Sequence, residues 1–235
     1  MAKQPMIVGR PALVVVDIQQ DGGLPTEVGG IPRMDGFDRV VATTERLVAA
    51  ARAFGVPVIF FQEAHRRSGV DFGRELDGAE GPHCLEGEEG TALWPTLLPG
   101  PDDYFIAKRR YSCFFGTELS ILLKGLGVST LVLTGGLTDV CVQYTFADAH
   151  QHDFYTRVVE DAVLGSSHAR HLAALDAMEY LQSGARRWAD EVVAGFAAIG
   201  TTDAGSTSAP PSQSSREPVS ETVSESSPDP LVEVA

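Results

Sequence analysis

The chain has little cysteine, few basic residues and no long apolar run, and each shortage removes a class of protein. Its three cysteines, Cys84, Cys113 and Cys141, cannot all pair, and a chain long enough to bury a sizeable core needs no disulfide staples. A reducing, cytoplasmic setting is the expectation. Lys and Arg number 18 against 32 Asp and Glu, a formal net charge of -14. A nucleic-acid surface needs concentrated positive charge, and the basic clusters here are short ones such as Lys108 to Arg110, so no nucleic-acid partner is expected. The same balance speaks against a polybasic membrane anchor. The apolar run Ala12 to Val16 is far too short to span a bilayer, and the first twenty residues contain no apolar stretch with a small-residue cleavage site. The reading is a soluble protein with no membrane partner. Internal repeats are also lacking.

With 43% hydrophobic content over 235 residues, one α/β domain is expected. Pro11 to Asp17 reads as a strand buried on both faces, because β-branched apolar residues follow one another without alternation. Asp21 to Pro32 is rich in Gly and Pro and reads as loop. The helical spacing of Val40, Val41, Leu47, Val48, Ala51 and Phe54 predicts a helix from Phe37 to Phe54, ended by Gly55. Strands are predicted at Val56 to Phe61, Asp103 to Ala107, Thr130 to Thr134 and Phe154 to Val159. Helices are predicted at Thr117 to Lys124, Thr138 to Gln151 and Ala169 to Ala198, the last interrupted near Gly184. This alternation of strands and helices implies a parallel sheet with helices on both faces. The long irregular connection from Glu63 to Gly100 is the kind that forms a lid or pocket wall. Beyond about residue 200 bulky apolar residues almost vanish, and six acids stand against one base from Asp203 onward. The expected organisation is therefore a domain over 1–200 and a disordered, acidic, Ser/Pro-rich tail over 201–235.

Leu131 to Cys141, LVLTGGLTDVC, is the most informative stretch. It reads as a buried strand stopped by two glycines, with Thr138 and Asp139 opening a helix and a cysteine in its first turn. The positive end of a helix favours thiolate over thiol, although a small buried cysteine also fits a strand-helix junction as simple packing. In open parallel sheets, ligands bind beyond the carboxyl ends of the strands, where strand order reverses. Asp17, Lys108 and Cys141 all fall at such ends, so they can converge.

Three motifs, VVVDIQQD at 14 to 21, KRRYSCFFGTEL at 108 to 119 and LTGGLTDVCV at 133 to 142, carry a resemblance to the isochorismatase-like cysteine hydrolases. That group includes nicotinamidase, N-carbamoylsarcosine amidase, biuret hydrolase and streptothricin hydrolase, and the likeness runs from about Ala12 to Leu181. It implies a three-layer α/β/α fold of Rossmann-like topology around a six-stranded parallel sheet. It further implies a catalytic triad of Asp17, Lys108 and Cys141, and an oxyanion hole from the N–H groups of Leu137 and Cys141 beside a cis peptide at Gly136-Leu137. A homodimer or homotetramer is implied as well. The residue types suit the chemistry: a thiolate attacks an unreactive amide carbon, and a carboxylate takes the thiol proton and hands it to the leaving amine.

Departures from the family pattern narrow the substrate. A Phe that walls a flat substrate in many members is replaced by Gly22, which disfavours a nicotinamide-like ring. Glu63, His65 and His83 lie where nicotinamidases hold a metal. Two histidines and a carboxylate can bind Zn²⁺ with an open position or can simply hydrogen-bond in a pocket wall, and no metal or other cofactor is assigned. The FGREL run, Phe72 to Leu76, either shapes the pocket or is a short amphipathic turn. Further substrate-binding candidates are Gln19, His65, His83, Phe115 and Tyr144; Trp94 and Phe114 are aromatics suited to either pocket or core. The expected activity is cysteine-dependent hydrolysis of a C–N bond in a small non-peptide amide, carbamoyl or ureido compound, or a lactam. A streptothricin-type lactam would imply antibiotic resistance. The alternatives are nicotinamidase and isochorismatase-type vinyl ether hydrolysis. A dinucleotide-binding protein is disfavoured because TGGLTD lacks GxGxxG spacing.

Overall fold

A computed structural model of the chain describes residues 3–25 and 31–203, with side chains through residue 200. Six strands, β1 (Arg10–Val16), β2 (Val58–Glu63), β3 (Tyr104–Lys108), β4 (Val128–Gly136), β5 (Tyr155–Leu164) and β6 (Arg186–Arg187), alternate with helices. The helices are α1 (Phe37–Ala53), α2 (Leu119–Leu126), α3 (Gln143–Gln151), α4 (His168–Leu181) and α5 (Ala189–Asp203). The strands form one sheet in the order β3-β2-β1-β4-β5-β6, and each neighbouring pair is parallel. This is the expected three-layer architecture.

The continuous apolar run of β1 buries six of its seven residues. Successive side chains feed opposite layers, because strand side chains alternate between faces. Ala12, Val14 and Val16 join a core with Leu123, Phe146 and Leu175 of α2, α3 and α4. Leu13 and Val15 join Leu47, Val48 and Phe196 of α1 and α5. Strand order reverses on either side of β1, since β2 and β3 lie to one side and β4 to the other. Gly135 shows how closely β4 approaches β1 there: it has a φ of +111°, and a Cβ on it would overlap the Val16 carbonyl oxygen.

Several boundaries differ from the sequence expectation. β2 runs on through Gln62 and Glu63, because these residues pair in register with Ala107 and Lys108 of β3. The helix expected from Thr138 begins instead as a π turn over Thr138–Val142, with α3 following it. The interruption near Gly184 contains a strand: β6 pairs Arg186 and Arg187 with Val158 and Val159. α5 continues to Asp203. The expected disordered tail lies outside the described residues from 204 onward, as does the middle of the expected 21–32 loop. Among the described residues no helix is long and apolar enough to cross a membrane.

Candidate active site

Four adjacent strand ends build the site. Asp17 follows β1 and turns there with a φ of +49°, a region Asp tolerates better than most residues. Glu63 ends β2, Lys108 ends β3 at the sheet edge, and Cys141 stands in the π turn after β4. The fully buried Lys108 reaches across the end of β2. Its Nζ lies 2.5 Å from Glu63 Oε2, 2.8 Å from Asp17 Oδ2 and 3.4 Å from Cys141 Sγ. Cys141 Sγ is in turn 3.4 Å from Glu63 Oε2. Sequence reasoning brought Asp17, Lys108 and Cys141 to one edge, and the structure brings them together. It adds Glu63 to them, a residue that sequence reasoning had considered only as a metal ligand. The available signal was an acid closing a buried strand, as Asp17 closes β1.

The two carboxylates differ. Glu63 takes the hydrogen bond from Lys108, whereas both buried Asp17 oxygens lack an aligned donor. Burial pushes the Asp17 carboxyl up, Lys108 pulls it down and Glu63 pushes it up again, leaving it at about 6. Burial acts on Glu63 in the same sense, but Lys108, His65 and His83 together hold it well below the usual carboxylate range. Lys108 is held well above its ordinary value because Asp17, Cys141 and Glu63 outweigh the burial of its charge. For Cys141, burial pushes the thiol well up, and Glu63 and Asp17 add to this against the pull of Lys108. The polarity of a helix start favours the thiolate, and burial and the two carboxylates oppose it here. The thiol is thus favoured in its protonated form beside Asp17, a carboxyl whose two buried oxygens lack an aligned donor.

The turn that carries Cys141 is fixed from outside. Thr138 Oγ1 lies 2.9 Å from His171 Nδ1. Asp139 does not cap its own helix: its carboxylate accepts from Ser166 N at 2.7 Å and Ser166 Oγ at 2.5 Å, tying the turn to the start of α4. The Gly136-Leu137 peptide is cis, and Gly136, Leu137 and Cys141 line one cleft with Asp17, Glu63, His83 and Tyr111.

Other candidates fall differently. Gln19 lines the cleft, but its amide is spent on structure: Nε2 donates to Glu63 O at 2.9 Å and Thr91 O at 2.7 Å, and Oε1 accepts from Glu63 N at 3.0 Å. Phe115 and Tyr144 are exposed and line a separate surface depression. Phe114 is core, and Trp94 sets its ring edge-on to Phe37 at 5.1 Å. Sequence reasoning missed Tyr111 and Phe37. Phe37 also revises the reading of Gly22, since a Cβ there would lie 2.7 Å from the Phe37 ring. An aromatic ring therefore lines the cleft beside Gly22, supplied by the first residue of α1.

Behind the cleft, Glu63, His65, Glu75 and His83 form a buried cluster whose ligand atoms lie within 4.8 Å of one another. Glu75, from the FGREL run, was not foreseen in this role. His65 Nε2 is 3.1 Å from both Glu63 Oε1 and Glu75 Oε2, and His83 Nε2 is 3.2 Å from Glu63 Oε1. These separations are close to the edges of a tetrahedron with metal-ligand bonds of about 2.0–2.1 Å. Both buried Glu75 oxygens lack an aligned hydrogen bond, and a bare buried carboxylate calls for a cation. His83 Nδ1 lies 2.7 Å from Gly81 O, a contact that as a donor leaves Nε2 free to ligate. The four side chains thus fit a divalent ion such as zinc. They also balance as protonated histidines against carboxylates: the acceptor oxygens and negative charges of Glu63 and Glu75 outweigh burial and raise His65 to about 9.

Residues 11–190 match the isochorismatase domain family. The chain is 33% identical over 210 residues to a ureidoacrylate amidohydrolase of Methylobacterium radiotolerans, covering 80% of this chain and 79% of that protein. Among solved structures, the N-carbamoylsarcosine amidase of Thermoplasma acidophilum superposes with a TM-score of 0.65 at 27% identity, over 77% of this chain and 97% of the other. The nicotinamidase of Bacillus subtilis superposes with a TM-score of 0.65 at 26% identity, over 76% and 99%.

Proposed function

The chain belongs to the isochorismatase family, and on that premise we propose that it hydrolyses a C–N bond of a small non-peptide amide, with a carbamoyl or ureido compound as the preferred class. The observation that carries this reading is the meeting of Cys141, Lys108 and Asp17 at the point where strand order reverses. Amidohydrolases among the relatives support it.

In the proposed cycle the Asp17 carboxylate takes the Cys141 proton as sulfur attacks the carbonyl carbon. A C–S bond forms, and the carbonyl electron pair moves onto oxygen, where the N–H groups of Leu137 and Cys141 receive it. Collapse of this adduct breaks the C–N bond. The proton held on Asp17 goes to the departing nitrogen, which leaves as ammonia or an amine. Asp17 then deprotonates a water molecule that attacks the thioester, and the thiol is restored. Lys108 stays charged throughout and stabilises whichever of Asp17 and Cys141 carries the negative charge.

Glu63, His65, Glu75 and His83 would hold a divalent metal. Bound there, it would supply a fixed positive charge that locks the long connection behind the cleft. With four protein donors, the set resembles closed structural sites more than open catalytic ones.

The reading is tested by assaying purified protein for ammonia or amine release from ureido acids, carbamoyl amino acids, nicotinamide and streptothricin-type lactams. Release from a ureido or carbamoyl compound that stops when Cys141 is alkylated is the expected result. Absence of release from every amide, or release that survives alkylation, contradicts it.

A further inference from the structure

Arg33 is the cleft-lining cation that the chemistry above does not use. It stands just before α1 and lines the same cleft as Asp17 and Cys141. Its backbone is held on the C-terminal side: Met34 N donates to Gly165 O at 2.9 Å, and Phe37, four residues after Arg33, is buried in the core. The guanidinium lies 5.3 Å from the Phe37 ring centroid, over the ring, so the aromatic ring orients it as a platform.

Its polar contacts are poor. Nη1 and Nη2 reach only the carbonyls of Met34 and Leu24, each at 3.4 Å, and the buried Nε has no acceptor. Three acids that line the cleft do have charged neighbours. Glu63 has Lys108 and His83, Asp17 has Lys108, and Glu80 has His83 at 3.8 Å. Among the described residues, none of the ion pairs includes Arg33. A guanidinium presents a planar fork of donors that matches a carboxylate, and a half-buried fork with a vacant Nε has the form of half of such a pair.

We infer that Arg33 is a specificity-determining residue that anchors a carboxylate on the substrate, so that the preferred substrates are ureido or N-carbamoyl acids and not neutral amides. This rests on the amidase reading and sharpens it. The acidic surroundings reinforce the selectivity. Asp21 and Glu80 also reach the cleft, so an anion is welcome only where Arg33 receives it. Anchoring the acid end against the Phe37 ring fixes where the amide end lies, and such positioning raises the chance that the carbonyl meets Cys141.

Binding to Cys141→Ala protein, which cannot turn substrate over, separates this inference from the hydrolase reading. Calorimetry would compare 3-ureidopropionate, its neutral carboxamide and the ammonium-bearing N-(2-aminoethyl)urea. The acid should bind about 10- to 100-fold tighter than the carboxamide, the scale of a charge-assisted hydrogen-bonded pair. Adding Arg33→Met should erase that preference without changing carboxamide affinity, and Arg33→Lys should restore part of it. The inference is overturned if acid and carboxamide bind alike, if Arg33→Met weakens both equally, if neither binds, or if the ammonium compound binds best through Asp21 and Glu80. Arg33-dependent binding of the acid, with no ammonia release from it by protein containing Cys141, would leave the anchor standing and remove the hydrolase reading.

Discussion

Two fully buried cations, Lys108 and Arg157, sit in different regions of the molecule and are satisfied in opposite ways. Arg157, on β5, gives its hydrogen bonds to neutral oxygens: Met6 O at 3.2 Å, Pro5 O at 2.7 Å and Thr156 O at 2.9 Å. Burial, helped by nearby Arg187, pulls its guanidinium down to about 10. Lys108 instead faces two carboxylates and a thiol, and is pushed up. A cation among carbonyls fastens one chain segment to another, here the N-terminal segment to the sheet. A cation among acids stores charge that can be redistributed, which is what proton transfer needs. Burial alone therefore does not mark a functional charge; the charge of its partners does.

Exchanging each cation for methionine should break this comparison most visibly. Lys108→Met is expected to lower kcat by about 10³-fold or more, with circular dichroism unchanged. Arg157→Met should leave kcat of the folded protein near normal but cost about 3 kcal/mol or more of stability in denaturant titrations, because several buried carbonyls lose their donor. If Arg157→Met proved the less active variant, the distinction would fail.

A smaller effect is expected at Glu63. Glu63→Gln keeps the shape but removes the charge that steadies Lys108, and kcat should fall by about 10- to 100-fold. A larger loss in Glu63→Gln than in Asp17→Asn would exchange the roles assigned to the two carboxylates.

The pH profile sharpens the same point. In the proposed cycle Asp17 acts as a base only when ionised, and burial leaves its carboxyl at about 6. Activity should therefore rise with pH to a plateau above that value and fall about tenfold per unit below it. A limb near 4, where an unperturbed Asp titrates, would mean that burial does not tune this group.

The smallest effect expected is on stability. Zinc added to purified protein should raise the thermal midpoint by a few degrees, about 1 kcal/mol of linkage or more, and His83→Ala should abolish the rise. An equal shift in both proteins would place the ion elsewhere.

Much of this was legible in the sequence. β1 and β4 declare themselves because strands covered on both faces must be apolar throughout, and their ends draw attention to Asp17 and Cys141. Lys108 stands out by its place after a short strand. Glu63 was harder to place in the catalytic cluster because Gln62 and Glu63 break the apolar run of β2. Only the ladder to Ala107 and Lys108, together with neutralisation by Lys108, allows the strand to continue. β6 is two arginines long and has no strand pattern at all. Glu75 lies in a Gly-rich connection whose path is set by tertiary contacts, and Phe37 was read only as the start of α1, whereas its ring stands against Gly22. The surroundings of the Cys141 thiol were half legible: helix polarity and the approach of Asp17 can be read from sequence, whereas the arrival of Glu63 from β2 cannot.

The central claim is that Cys141 is a nucleophile activated by groups from β1, β2 and β3. Its most direct test is ammonia or amine release by Cys141→Ala protein of unchanged thermal midpoint, measured on the best ureido or carbamoyl substrate. The account predicts a loss of at least about 10³-fold. Turnover within tenfold of the parent protein would contradict it and would move the chemistry to Asp17 alone.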